Sequence, residues 1–206
     1  MSRLAAIYGV QAAVSALVER VRQSTVELRS GPRQLGAGIA WGDDLVLTNA
    51  HVATDDRPEV TTARGTTRAA RLIARDPARD LALLRVSGLN LAPVSLGRAD
   101  RLRSGMLVFA VGHPLGVVGA LSAGVVHAVG TAPSRLVPPG PAQRFHWLQL
   151  DLDVAPGNSG GPVLDVAGEV VGLTTMISAG LTLAVPGEEA LRWATRRLEA
   201  CQRSAS

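Results

Sequence analysis

From Thr25 to Val185 the chain is divided into short apolar segments with turn residues between them, and that pattern admits little besides an all-β fold. A first series comprises Thr25–Leu28, Leu35–Trp41, Leu45–Thr48, Val60–Ala63, Ala69–Ala74 and Leu81–Val86. Gly31-Pro32, Gly42-Asp43-Asp44, Asp55–Pro58 and Arg64-Gly65 interrupt it. A second comprises Leu107–Val111, Leu121–Val129, Phe145–Leu150, Val163–Asp165, Glu169–Ile177 and Leu181–Val185. The polar stretch Gly97–Gly105 separates the two, and the proline-rich stretch Pro133–Arg144 reads as an exposed loop. Six and six segments predict two six-stranded antiparallel β-barrels, each closing its own edges, with a cleft between them. The expected division is a helical segment over 1–24, a first barrel over 25–105, and a second barrel with its helix over 106–206.

Both ends read as helix. Val10, Val14, Leu17, Val18 and Val21 fall at helical spacing, with Glu19, Arg20, Arg22 and Gln23 on other faces. Val14-Ser15-Ala16 loosely matches a signal cleavage site, and the compartment stays open between cytoplasmic and exported. After Pro186, Glu188 and Glu189 open a helix with Leu191, Ala194 and Leu198 as its apolar stripe.

Composition narrows the partners. The chain of 206 residues is long enough for a core that needs no disulfide, and its one cysteine, Cys201, can form none within the chain. No run of about 18 apolar residues occurs, so no stable membrane span is expected. The net charge of +4 comes entirely from arginine on the basic side, and these arginines are dispersed among few aromatics. Nucleic-acid binding is not expected.

The chemistry concentrates in Gly157-Asn158-Ser159-Gly160-Gly161-Pro162. Glycines on both sides of a serine permit a tight turn with the hydroxyl at its apex. The segment Gly157, Asn158, Ser159 can form an oxyanion hole, with the N–H groups of Gly157 and Ser159 aimed at one spot. A serine hydroxyl attacks only when a base takes its proton and a third group orients the base. His51, directly after the strand Leu45–Thr48, is the expected base, since an imidazole accepts and returns protons near neutrality. His113, His127 and His146 read as packed or solvated. Asp80, opening the strand Leu81–Val86, is the expected orienting carboxylate, whereas Asp76 before Pro77 reads as a turn residue.

The order His51, Asp80, Ser159 resembles that of chymotrypsin-fold serine proteases, and more closely that of the protease domain of the HtrA (Deg) family. The similarity lies in Gly36-Ala37-Gly38-Ile39, Thr48–Val52, Asp80–Val86, Gly112–Gly116, Ser122–Gly130, Leu148–Pro162, Gly168–Thr174 and Leu181–Pro186, and spans roughly residues 14 to 198. The resemblance implies hydrolysis of protein or peptide substrates through an acyl-enzyme, with no metal and no cofactor. It also implies control by loop ordering. Asn158 agrees, because a neutral amide cannot pair with a newly cut N-terminal ammonium. Departures from the family are the reduction of N-terminal aromatics to Tyr8, which leaves monomer and trimer both open, and the lack of a PDZ segment, so no C-terminal peptide-binding module is expected. The alternative function is a catalytically silent peptide-binding or chaperone-like module that adds a peptide strand near Thr174, Thr175 and Met176.

Specificity divides into two readings. Asp153 stands six positions before Ser159, the offset at which trypsin-like enzymes carry the aspartate that binds arginine or lysine. Alternatively Asp153 turns outward and leaves an aliphatic pocket lined by Val154 and Ile177.

Overall fold

A computed structural model describes residues 3–31, 34–42, 44–114, 117–137 and 140–204. Helix α1 (Arg3–Arg22) leads into β1 (Thr25–Ser30), β2 (Gln34–Gly42), β3 (Leu45–Thr48), β4 (Glu59–Thr62), β5 (Thr67–Ala69), β6 (Arg71–Asp76) and β7 (Leu81–Arg85). Then come β8 (Leu107–Gly112), β9 (Ala120–Thr131), β10 (His146–Asp151), β11 (Pro162–Leu164), β12 (Val170–Ser178), β13 (Leu181–Pro186) and helix α2 (Gly187–Ser204). The molecule is mostly β, as the segment pattern predicts.

The second half closes as expected, a six-stranded antiparallel barrel in the order β10-β13-β12-β11-β8-β9. The first half differs from the predicted six strands. It is a seven-stranded antiparallel sheet, β5-β4-β1-β2-β3-β7-β6, because the segment read as Ala69–Ala74 breaks at Ala70. There the chain leaves one edge of the sheet and enters the other. The Ala70 N–H donates to the Pro58 carbonyl at 2.7 Å and the Leu72 N–H to the Asp56 carbonyl at 3.1 Å, so the seam of a strongly curled sheet is stitched by loop bonds in place of a ladder. The consecutive strands β5 and β6 thus form the two edges of the sheet, and these loop bonds occupy some of the backbone groups that would otherwise invite edge pairing.

Strand alternation explains how the halves join. In β7, Ala82 and Leu84 face the interior of the curled sheet with Val26, Leu28 and Val46. Leu81 and Leu83 face the opposite way, into a cluster with Ile39, Leu47, Phe109, Val111, Leu173 and Trp193 that draws on both halves. These strands are buried on both faces, so they read as continuous apolar runs. Leu148, Leu150, Val163 and Ala184 fill the second barrel.

The helices pack only in part. Leu17 and Val21 of α1 are buried and Val14 partly so, but Val10 is 66% exposed, so the predicted apolar stripe makes contact only in its C-terminal half. Thr25 Oγ1 donates to the Val21 carbonyl at 2.9 Å and closes that helix end. In α2 the buried hydrophobic residues are Ala190, Trp193 and Ala194, with Leu191 and Leu198 partly covered, so the stripe is broader than predicted. The stretch Pro133–Arg144 is not simply an exposed loop. Leu136 and Val137 are buried in the shared core, and Trp147 Nε1–H donates to the Ala142 carbonyl at 2.9 Å. Removing two aliphatic side chains from water outweighs the tendency of a proline-rich segment to stay solvated.

Candidate active site

Pairing of β3 with β7, with Thr48 opposite Ala82, sets the turn after β3 beside the turn before β7. His51 rides on the first. The Val52 and Ala53 N–H groups donate to the Asn49 carbonyl at 3.2 and 3.1 Å, and both side chains are buried, which anchors the turn. Asp80 ends the second turn with a φ of 54°, in the left-handed region that aspartate tolerates better than most residues. Both of its carboxylate oxygens serve His51: Oδ2 accepts from the ring Nδ1–H at 2.7 Å and Oδ1 from the backbone N–H at 2.9 Å. That double hold fixes the imidazole's rotation and tautomer, directing Nε2 away from Asp80. Asp76 is the turn residue that the sequence suggests. Its carboxylate accepts from the Ala78 and Arg79 N–H groups, each at 3.1 Å, and from Arg79 Nη1 at 3.0 Å.

Ser159 comes from the second barrel. Its carbonyl accepts the Ala37 N–H at 2.8 Å, tying the nucleophile turn to β2 of the first half. Its Oγ–H donates to the Thr175 carbonyl at 3.1 Å. Thr175 sits where the β12–β13 register slips between Thr174 and Met176, and a bulge of this kind re-aims backbone groups. Gly157 has a φ of 106°, and a Cβ there would stand 2.5 Å from the His113 carbonyl oxygen. The Asn158 N–H is engaged by the Ala155 carbonyl at 3.1 Å, so Asn158 is removed from the expected donors of an oxyanion hole. Among the described residues, the N–H groups of Gly157 and Ser159 have no hydrogen-bond partner.

A cavity of about 240 Å³ opens at this point, walled by His51, Val154, Gly157, Ser159, Met176 and Ile177, with Thr174 and Thr175 also on its lining. Asp153 does not line it and is exposed. Leu152 and Val154 on either side of it are buried. An unpaired carboxylate at the base of an apolar pocket would also be costly to bury. A larger concavity of about 590 Å³ between Arg98, Arg144, Glu188 and Arg192 includes His146 but brings no nucleophile to a base.

Arg79 escapes a reading by sequence spacing, and His113 proves to be the packed histidine that the sequence suggests. Arg79, next to Asp80, reaches the second half: Nε donates to Glu189 Oε1 at 3.0 Å and the guanidinium lies 4.4 Å over the Phe145 ring. Burial works against its charge, but the hydrogen bonds to Glu189 and Asp76 outweigh that and raise its pKa. Burial likewise opposes ionisation of Glu189, yet the bonds from Arg192 and Arg79 hold its carboxyl below the ordinary value. His113 is buried, and its N–H donates to the Gly157 carbonyl at 3.2 Å. Burial lowers its pKa, with Glu27 raising it and Arg22 lowering it by smaller amounts. Because the folded value is depressed, His113 favours unfolding once pH falls below its ordinary value of about 6.5, where only the unfolded chain binds the proton.

Among the described residues no helix is long and apolar enough to cross a membrane, and no His, Cys, Asp or Glu cluster is disposed to hold a metal.

A family profile described as "Trypsin-like peptidase domain" matches residues 36–173. A protein of Synechocystis sp. named as the serine protease HhoB is 37% identical over 162 residues, 75% of this chain and 38% of its own length. A protein of Ectopseudomonas mendocina named as a DegP-like periplasmic serine endoprotease is 40% identical over 169 residues, 78% of this chain and 34% of its own length. The chain therefore spans little more than a third of these curated relatives. Among solved structures, the HtrA-type protease AlgW, determined with a decapeptide, superposes with a TM-score of 0.78 at 28% identity, over 90% of this chain and 67% of that one. Deg5 superposes with a TM-score of 0.76 at 30% identity, over 88% of this chain and 92% of that one. Motif order, fold and these likenesses converge: the chain belongs to the trypsin-like peptidase family and is similar there to the HtrA/DegP-like serine proteases.

Proposed function

We propose that the chain is a serine endopeptidase in which Ser159 is the nucleophile, His51 the general base and acid, and Asp80 the group that orients His51. The observation carrying this reading is that Asp80 holds His51 through both carboxylate oxygens on the wall of the cavity that Ser159 shares. Ser159 Oγ attacks the scissile carbonyl while His51 Nε2 takes its proton. The oxyanion of the tetrahedral intermediate settles against the Gly157 and Ser159 N–H groups. On collapse the C–N bond breaks, His51 gives its proton to the leaving amine, and an ester to Ser159 remains. Water, deprotonated by His51, then cleaves that ester. The family likeness and the paired His51 and Asp80 favour turnover over a silent peptide-binding module.

The proposed oxyanion hole depends on a backbone that only glycine adopts readily. Gly157→Val is expected to lower kcat by about 10²- to 10³-fold, the cost of one lost donor. A folded valine variant with full kcat would show that other groups hold the oxyanion.

With Val154, Met176 and Ile177 on the cavity and Asp153 outside it, the proposed preference is for small aliphatic residues before the scissile bond. Digestion of a mixed peptide library tests activity and preference together. Cuts after valine, alanine or leucine, unchanged in Asp153→Ala, are expected. Cuts after arginine or lysine that vanish in Asp153→Ala would overturn the preference, and an uncut library would overturn the activity.

A further inference from the structure

We infer that Asn49 is a positioning residue that locks the two halves of the site together, a reading that rests on the proposed triad. Asn49 is fully buried between the halves, two residues before His51. Its side-chain Nδ2 donates to the Asp80 carbonyl at 2.9 Å and to Thr175 Oγ1 at 3.2 Å. Its own carbonyl accepts from Val52 and Ala53, building the turn that carries His51. Thr175 in turn offers the carbonyl that receives the Ser159 hydroxyl. One residue thus touches the frame of each triad member: the His51 turn through its backbone, and Asp80 and the Ser159 acceptor strand through one amide.

The chemistry of the position argues for this role over packing. Asn49 Oδ1 is buried with no hydrogen-bond partner among the described residues, an arrangement that weakens the fold and that an apolar side chain would avoid. What asparagine supplies there is the N–H₂ donor. The Asp80 backbone stands at a φ of 54°, and the bond to its carbonyl holds that peptide in the orientation that turns the carboxylate onto His51. The bond to Thr175 Oγ1 pins the register slip that aims the Thr175 carbonyl at Ser159. Losing the amide frees both, and misplacements of about 1 Å at such a site cost on the order of 10²-fold in rate.

The test compares the unmodified enzyme with Asn49→Ala, Thr175→Val and the double variant, on a peptide the unmodified enzyme cleaves. Asn49→Ala is expected to lower kcat by about 10- to 100-fold with KM changed by less than about threefold. Thr175→Val, of similar branched shape and with its carbonyl intact, lowers kcat less, and the double variant falls no further than Asn49→Ala because both changes cut the same bridge. The low-field proton resonance of the His51 Nδ1–H bond to Asp80 shifts or broadens in Asn49→Ala, a signature that mere loss of packing would not produce. If Asn49→Ala unfolds, Thr175→Val and its proton resonance decide alone. Full kcat and an unchanged resonance in the folded variants would overturn the inference while the triad stands. An unmodified enzyme that cleaves nothing would instead overturn the triad reading, and this inference with it.

Discussion

Ser159→Ala and His51→Ala are each expected to reduce peptide hydrolysis on the order of a million-fold, and the double variant no further. The three groups work on one proton: without His51 the hydroxyl stays a weak nucleophile, and without Ser159 the base has nothing to activate. Neither change should unfold the protein. Ser159 and His51 lie at the cavity rather than in the apolar clusters, and the anchors of their turns (the Ala37 bond to the Ser159 carbonyl, and the bonds from Val52 and Ala53 to Asn49) come from backbone groups that survive both substitutions. Initial rates with circular dichroism of the same samples check this. A folded alanine variant that keeps more than a few per cent of the rate would assign the chemistry elsewhere.

Asp80→Asn is expected to keep the fold and lower kcat by about 10⁴-fold. Asp80 accepts from both the ring and the backbone of His51, and an amide can turn only one oxygen to these two donors. Its NH₂ then faces Nδ1 and favours the tautomer that leaves Nε2 unable to take the Ser159 proton. Asp76→Ala provides the contrast. It removes the carboxylate that caps the Ala78 and Arg79 N–H groups, which lowers stability by about 1–3 kcal/mol, but leaves His51 untouched and kcat within about tenfold. Thermal melts and kcat for the two variants separate the roles. A larger loss of kcat in Asp76→Ala than in Asp80→Asn would reverse the choice of aspartate.

The sequence was most legible where chemistry sits in local turns. Ser159 lies among glycines, His51 after one strand and Asp80 before another, so strand-to-turn spacing was enough to put them forward as candidates. The continuous apolar run of β7 fits its burial on both faces, with Leu81 and Leu83 turned one way and Ala82 and Leu84 the other. What spacing did not show depends on direction and on distant partners. Asp153 could be placed outside the pocket only once Leu152 and Val154 were seen to face inward. The seventh strand appears because Ala70 bonds back to Pro58, a contact that no period-two pattern reveals. Arg79 and Asn49 gain their importance from Glu189, 110 positions away, and Thr175, 126 positions away. Leu136 and Val137 were hidden by the prolines around them, although two adjacent aliphatic residues in a polar loop were a usable sign of an anchor.

The most direct measurement is covalent labelling of native protein with a fluorophosphonate, followed by peptide mapping. Such a probe reacts with a serine whose proton a neighbouring base removes, so it reads activation itself and needs no knowledge of the natural substrate. The account predicts one adduct, on Ser159, absent from denatured protein and from His51→Ala and much slower to form in Asp80→Asn. Native protein that stays unlabelled, or that labels at Ser159 equally fast without His51, would contradict it.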